Sequence, residues 1–365
     1  MGAIPLKEHA IFRLHYLIEQ VQKRSIAMGD IPPTMRAVGV LKPGGAENLV
    51  LNSVPTPTPG KGEVLIKVAA AGINRGDIVL REGTYQRPPG MSEILGFEVS
   101  GTIIAWGDDS EAHDCHYGLN LGSTVCALVP GGGYAQYCLA PVENLLPIPR
   151  GVPLIQASSL PEVYATVWSS LFDLARLTSG ETLLVHGGAS GIGTAAIMLA
   201  KSYGAIVIAT AGTDDKCMVC KNLGADVSIN YQMQDFAEIV SNHTDRGVDV
   251  ILDMVGGDYA MRNLNCLAVD GRLVCIGLQK SAITELDLSV ILFKRLTLIG
   301  SVLHSRDKAF RQALMDHLTV KVWPRIEIGD IRLVIDCEYP LQNVAEAHAR
   351  MDSGLHTGKI ILVMD

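Results

Sequence analysis

Apolar and polar positions fall into two regimes along this chain. From Met35 to about Pro153 the apolar residues come in short runs. Met35 to Val40 is one. Glu63 to Ala69 alternates, with Val64, Ile66 and Val68 on one side and Leu65 and Lys67 on the other. Val99 to Ala105 and Ser123 to Leu128 are two more, and glycine, aspartate and proline (Pro55, Pro57, Pro59) punctuate them. Period-two alternation bounded by turn residues predicts strands. Short strands at this spacing predict a β-rich domain, barrel-like or sandwich-like.

The second regime opens with a helical stretch, Leu160 to Arg176. A strand, Leu183-Leu184-Val185, then enters the turn Gly187-Gly188-Ala189-Ser190-Gly191-Ile192-Gly193. A helix-like run (Ala195 to Ala200) leaves it, Gly204 stops the helix, and a second strand covers Ala205 to Ala209. Gly247 to Met254, Gly271 to Gly277 and Leu296 to Leu303 read as further strands, with Asp258 to Ala268 helical between the first two. Such alternation predicts an α/β domain, a parallel sheet with helices on both faces. After His304, helical segments (Lys308 to Leu318, Val344 to Met351) flank short strands ending at Lys359 to Val363. The expected organisation is an extension over residues 1–34, a β domain over 35–156, the parallel-sheet domain over 157–303, and a return to the β domain over 304–365.

The extension has Ile11, Leu14, Leu17, Ile18 and Val21 near helical spacing, with Lys7, Arg13, Lys23 and Arg24 around them. It reads either as a mitochondrial presequence or as a helical tail. Glu8, Glu19 and a lone Ser25 count against the first, because presequences are poor in acids and rich in serine. A cytoplasmic location is expected, or a mitochondrial one if the extension is a presequence.

The length, 365 residues, allows two domains with a core each. Hydrophobic residues make up 48% and charged residues 19%, as in a compact globular enzyme. A net charge of −8 gives no support to nucleic-acid binding. No apolar run reaches the roughly eighteen residues of a membrane span. The eight cysteines are scattered and no secretory signal precedes them, so they read as reduced thiols.

The candidate chemistry centres on the glycine turn. Strand, glycine turn, helix and strand together form a unit that binds a nucleotide diphosphate. Glycines let backbone approach the phosphates, and the helix N-terminus offers N–H groups and a positive dipole end. This marks Gly188, Ala189, Ser190, Gly191, Ile192 and Gly193 as cofactor-binding. An acid at the end of the second strand would hold the ribose of NAD. Here the strand ends in Thr210-Ala211-Gly212, which leaves room for a 2′-phosphate. Lys216 and Tyr231 can both bond one, so NADPH is expected over NADH. Asp214 and Asp215 oppose this unless they serve the N-terminus of the next helix.

Several stretches carry a resemblance: Gly62 to Val68, Gly72-Ile73-Asn74-Arg75-Gly76-Asp77, Leu95-Gly96-Phe97-Glu98, Gly131 to Ala135, His186 to Gly193, and Gly358-Lys359-Ile360. From Met35 to Asp365 the chain resembles the medium-chain dehydrogenase/reductase superfamily, in its zinc-free quinone oxidoreductase branch. Phe293-Lys294-Arg295 and Ser305-Arg306-Asp307 match a subgroup induced in animals by a tumour suppressor. The resemblance implies a GroES-like β-rich substrate domain plus a Rossmann domain with a doubly wound parallel sheet. It also implies an NADPH cofactor and a homodimer paired through the Leu296 to Leu303 strand.

Zinc-dependent members carry a cysteine where this chain has Asn74 and a histidine where it has Phe97. Neither Asn nor Phe supplies a thiolate or imidazole, so no metal is expected. His113-Asp114-Cys115-His116 and Cys217-x-x-Cys220 lack a matching second pair. The glycine turn also looks like that of short-chain dehydrogenases, but no tyrosine here has a lysine four residues later.

Without zinc, the substrate must be electrophilic already, as a quinone or conjugated carbonyl is. It then needs a polar group near the oxygen that gains charge. Tyr85, in the proline-restricted loop Glu82 to Gly90, is the leading catalytic candidate by resemblance. Asn74 and Asp77 border the same cleft, or else form a turn and cap a helix. The resemblance places Thr166 and the Gly277-Leu278-Gln279 turn near the nicotinamide. The function expected first is NADPH-dependent reduction of quinones or related α,β-unsaturated carbonyls; the alternatives are reduction of trans-2-enoyl thioesters and, further, NADPH binding with little catalysis.

Overall fold

A computed structural model describes residues 31–84, 87, 90–107 and 117–365. Strands β1 (Thr34–Val40) and β2 (Leu49–Pro55) form an antiparallel pair. β3 (Glu63–Gly72) leads into helix α1 (Arg75–Arg81), and β4 (Glu98–Trp106), β5 (Thr124–Leu128), β6 (Tyr137–Pro141) and β7 (Leu145–Pro147) follow. β3 pairs with both β4 and β6, so its Val64, Ile66 and Val68 are enclosed in the domain core while Lys67 stays exposed.

After a short α2 (Leu154–Ala157), α3 (Pro161–Trp168) starts the parallel-sheet domain. The expected long helix to Arg176 changes character, because Ser169–Leu174 winds as a π-helical turn. Then come β8 (Thr182–Val185), α4 (Gly191–Ser202), β9 (Ile206–Ala211), α5 (Asp214–Asn222), β10 (Val227–Asn230) and α6 (Phe236–His243). β11 (Val248–Asp253), α7 (Tyr259–Cys266), β12 (Leu267–Cys275), α8 (Leu288–Lys294) and β13 (Thr297–Gly300) complete it. The strand order is β10-β9-β8-β11-β12-β13, and every pairing is parallel. Successive residues of a strand face opposite sides, so Leu183 joins the core under α3 and α4 while Leu184 joins the one under α6 and α7. The order in which strands are added reverses between β8 and β11, and ligands of such sheets bind beyond the carboxyl ends at that point.

β13 is shorter than the apolar run Leu296 to Leu303, because the chain turns away after Gly300. Helices α9 (Lys308–His317) and α10 (Trp323–Glu327) place Leu314, Met315 and Trp323 in the core they share with α3 and α4. β14 (Ile335–Pro340), α11 (Val344–Asp352) and β15 (Lys359–Val363) come last. The antiparallel-rich sheet has the order β14-β15-β3-β4-β5-β7, with β6 on β3. The chain therefore re-enters that sheet at Ile335 rather than at residue 304, after the apolar faces of α9 and α10 have found partners beside α3.

Candidate cofactor and substrate cleft

The turn between β8 and α4 is built for close backbone approach. Gly187 has φ +66°. A Cβ on Gly193 would lie 2.2 Å from the Gly187 carbonyl, and one on Gly188 would meet Ala209 of β9 at 2.9 Å. Only glycine lets the start of α4 sit this tightly against the strands. Ser190 caps α4 by accepting the Gly193 amide at 3.0 Å. The first-turn amides of Gly191 and Ile192 have no partner within the helix, so they can take an anionic group.

Below this turn a polar brace joins the carboxyl ends of three strands. His186, fully buried, contacts Thr210 Oγ1 at 3.0 Å and Asn263 Oδ1 at 2.8 Å. Asn263 in turn donates to Asp253 at 3.2 Å. Burial lowers the His186 pKa, against the pull of the nearby Asp253 carboxylate. The brace fixes the ends of β8, β9 and β11 relative to one another. It was not visible in the sequence, since its members lie up to 77 positions apart.

At the end of β9 the residues expected to select NADPH separate into two groups. The Tyr231 hydroxyl sits over Gly212, 2.8 Å from where a Cβ would be. Lys216 Nζ instead donates to the Gly354 carbonyl at 2.6 Å, which ties α5 to the loop before β15. Burial lowers the Lys216 pKa, with Asp336 opposing and Arg350 adding to it. Asp214 and Asp215 do lie in the first turn of α5, where Thr213 is the cap. Asp214 accepts the Asn230 amide at 2.7 Å.

At the other end, the Gln279 amide donates to the Met254 carbonyl at 3.1 Å, which shapes the Gly277-Leu278-Gln279 turn. Leu278 is exposed. On α3, Glu162 and Thr166 are the two residues not fully buried, one helical turn apart on a single side. Tyr85 lies outside the described residues, as does the His113 to His116 cluster.

Asn74 and Asp77 meet in one network. The Asn74 amide donates to Asp77 Oδ2 at 2.9 Å, the reciprocal half of a helix cap on α1. The Gly96 amide donates to Asp77 Oδ1 at 2.8 Å. Burial pushes the Asp77 carboxyl up to about 7, against the amides of Asn74 and Gly96, the Tyr134 phenol and the charge of Lys359. The Asn74 side chain donates to Glu98 Oε1 at 2.9 Å and accepts from Lys359 Nζ at 2.6 Å. Lys359 Nζ also reaches Glu98 Oε1 at 2.8 Å and the Ile73 carbonyl at 2.7 Å. Glu98 Oε2 accepts the Glu162 amide at 2.9 Å. The Lys359 stem packs on Gly191 at the head of α4. One ammonium thus joins the glycine turn to the Asn74 corner.

Sequence reasoning named Asn74 and Asp77 and gave no role to Glu98, Glu162, His304 or Lys359. The available signal was a charge inside an apolar strand, Glu98 opening β4 and Lys359 opening β15. Among the described residues no group of three or more His, Cys, Asp or Glu side chains is placed to hold a metal ion. No helix among them is long and apolar enough to cross a membrane.

This architecture has known relatives. Residues 60–150 match the alcohol dehydrogenase GroES-like domain, and residues 191–319 the zinc-binding dehydrogenase family. The quinone oxidoreductase of Homo sapiens is 32% identical over 333 residues, 90% of this chain and 98% of that protein. A mycobacterial protein solved with NADPH superposes with a TM-score of 0.81 at 28% identity, over 90% of this chain and 99% of its own. The JamJ enoyl reductase superposes with a TM-score of 0.81 at 25% identity, over 91% and 99%. The chain belongs to the medium-chain dehydrogenase/reductase superfamily. Within it, this protein is a quinone oxidoreductase-like enzyme.

Proposed function

We propose that this protein uses NADPH to reduce quinones or related α,β-unsaturated carbonyls, without zinc. The observation that carries the reading is the Asn74 corner. Both ends of the Asn74 amide are engaged by Glu98 and Lys359, and an aromatic ring, Phe97, stands at the second metal position of the zinc-dependent relatives. An internal ammonium balances the buried carboxylate there, and no thiolate or imidazole ligand is available at either position. A substrate must then bring its own electrophilic carbon. When bound, the cofactor supplies hydride. The residues suited to hold it are the α4 N-terminus with Ser190 for the pyrophosphate, and Gly212, Tyr231 and Lys216 for the 2′-phosphate. Thr166 and the Gly277-Leu278-Gln279 turn suit the nicotinamide, and Tyr85 the substrate. Lys216 must exchange the Gly354 carbonyl for the phosphate, a stronger acceptor because it is charged.

A second reading, trans-2-enoyl thioester reduction, draws on the likeness to the JamJ enoyl reductase. Steady-state NADPH oxidation with quinones, enones and an enoyl-CoA, repeated on Tyr85→Phe, separates the two. Faster turnover of the enoyl-CoA than of any quinone favours the second. Turnover of none favours a binding protein. A Tyr85→Phe enzyme with full activity removes Tyr85 from the mechanism.

The same proposal includes a homodimer. β13 is the last strand of its sheet, with Leu298 exposed, and α8 beside it exposes Leu288, Leu292 and Phe293. An open apolar edge of this kind favours pairing with a second copy.

A further inference from the structure

His304 lies four residues beyond β13, at the carboxyl edge of the parallel sheet where ligands of this architecture bind. Its ring stacks on Phe97 of the other domain, with centroids 4.3 Å apart and planes tilted by 32°. It therefore stands at the junction between the cofactor domain and the β domain. Nε2 is 3.1 Å from Glu162 Oε2, an ion pair whose N–H is not aligned with the oxygen. Glu162 is one turn from Thr166 on α3, and its own amide is held by Glu98. Among the described residues, Nδ1 has no hydrogen-bond partner. The imidazole is thus anchored on one side and open on the other.

We infer that His304 is a catalytic acid, protonating the carbonyl oxygen of the substrate as it is reduced, with Glu162 as its positioning residue. The inference rests on the reductase reading above. The balance is simple. A quinone receives a hydride and one proton and becomes a hydroquinone, NADPH becomes NADP⁺, and the neutral imidazole regains a proton from water. The proton leaves from Nδ1, the nitrogen not turned to Glu162.

The charges around the ring fit this task. Burial alone would disfavour the imidazolium. Glu162 on α3 and Asp77 on α1 outweigh burial and the opposing Arg311 on α9, and hold the His304 pKa above its ordinary value. A group whose charged form its neighbours favour can both stabilise a forming oxyanion and protonate it.

The test uses the full-length protein with menadione. In wild type, kcat at saturating NADPH should fall as pH rises through the imidazolium pKa. His304→Gln should lower kcat about 100-fold, in the usual range for losing a general acid, and remove that alkaline limb. Glu162→Gln leaves the imidazole in place and should shift the limb to lower pH. A second readout needs no turnover. With ¹⁵N-labelled histidine and no NADPH, 4-nitrophenol should bind as the phenolate and raise the His304 pKa, and His304→Gln should lose the bound phenolate absorbance. Activity within twofold of wild type in His304→Gln across the pH range overturns the inference, as does a His304 resonance that 4-nitrophenol leaves unmoved. A wild-type protein inert towards every quinone and enone sinks the reductase reading instead, and the nitrophenol titration still reports on His304.

Discussion

The Lys359 ammonium lies 2.6 Å from Asn74 Oδ1, just ahead of helix α1. It is 2.8 Å from Glu98, and both charged side chains are buried. Removing one partner of such a pair leaves an uncompensated charge. Lys359→Met should therefore destabilise the protein by about 3–5 kcal/mol. Adding Glu98→Gln should restore part of the loss, since the orphaned charge is gone. Urea unfolding of the single and double variants checks this. A Lys359→Met protein as stable as wild type would show that the pair contributes nothing net.

Gly193 has no room for a methyl group beside the Gly187 carbonyl. Gly193→Ala should push α4 off β8, costing about 1–3 kcal/mol by overpacking. NADPH binding should weaken at least tenfold, because the α4 amides move with the helix. Fluorescence titration with NADPH measures it, and unchanged affinity would move the pyrophosphate elsewhere.

Lys216 is bonded to Gly354, while Tyr231 covers Gly212. Lys216→Ala should weaken NADPH about tenfold, near 1.4 kcal/mol, and leave NADH affinity nearly unchanged. Parallel titrations with both nucleotides decide. Equal losses for the two would mean that Lys216 acts through the domain contact alone.

His348 sits between Arg81, whose guanidinium is 3.3 Å from Nδ1, and the Tyr134 hydroxyl, 3.3 Å from Nε2. Burial, reinforced by the charge of Arg81, lowers its pKa to about 3. The unfolded chain takes a proton on this residue below about pH 6.5, and the folded protein does not until far lower. Its contribution is therefore complete above about 6.5 and is lost as pH falls, by up to about 1.4 kcal/mol per pH unit. His348→Gln should flatten the acid limb of stability by one proton. An unchanged slope in urea unfolding against pH would contradict this.

On the edge proposed to pair two copies, Leu298 is 43% and Phe293 78% exposed in the single chain. Leu298→Lys together with Phe293→Glu should convert a dimer into a monomer in light scattering. A wild-type protein already monomeric at micromolar concentration would remove the proposal.

Much of the fold was legible in the chain because local rules wrote it. Glycine spacing between a strand and a helix marked the turn Gly187 to Gly193, and period-two alternation marked β3. The extent of helix α1 was not legible, because its seven residues are too short for periodicity, although Asn74 and Asp77 already offered themselves as a turn and helix cap, which the structure bears out. The strand expected to reach Leu303 was cut at Gly300, since an apolar run does not say whether the next residues pair or pack.

By itself, the sequence determined two domains, a glycine turn between strand and helix, a neutral end to the second strand, and Asn and Phe rather than Cys or His at positions 74 and 97. These follow from residue type and near spacing, which act within one or two turns of chain. Tertiary structure alone decided that Lys359 fills the Asn74 corner, that Lys216 faces Gly354, and that His304 meets both Glu162 and Phe97. Those partners lie 285, 138, 142 and 207 positions apart. Such pairings arise where packed domains force buried charges to find one another, and no local pattern records them.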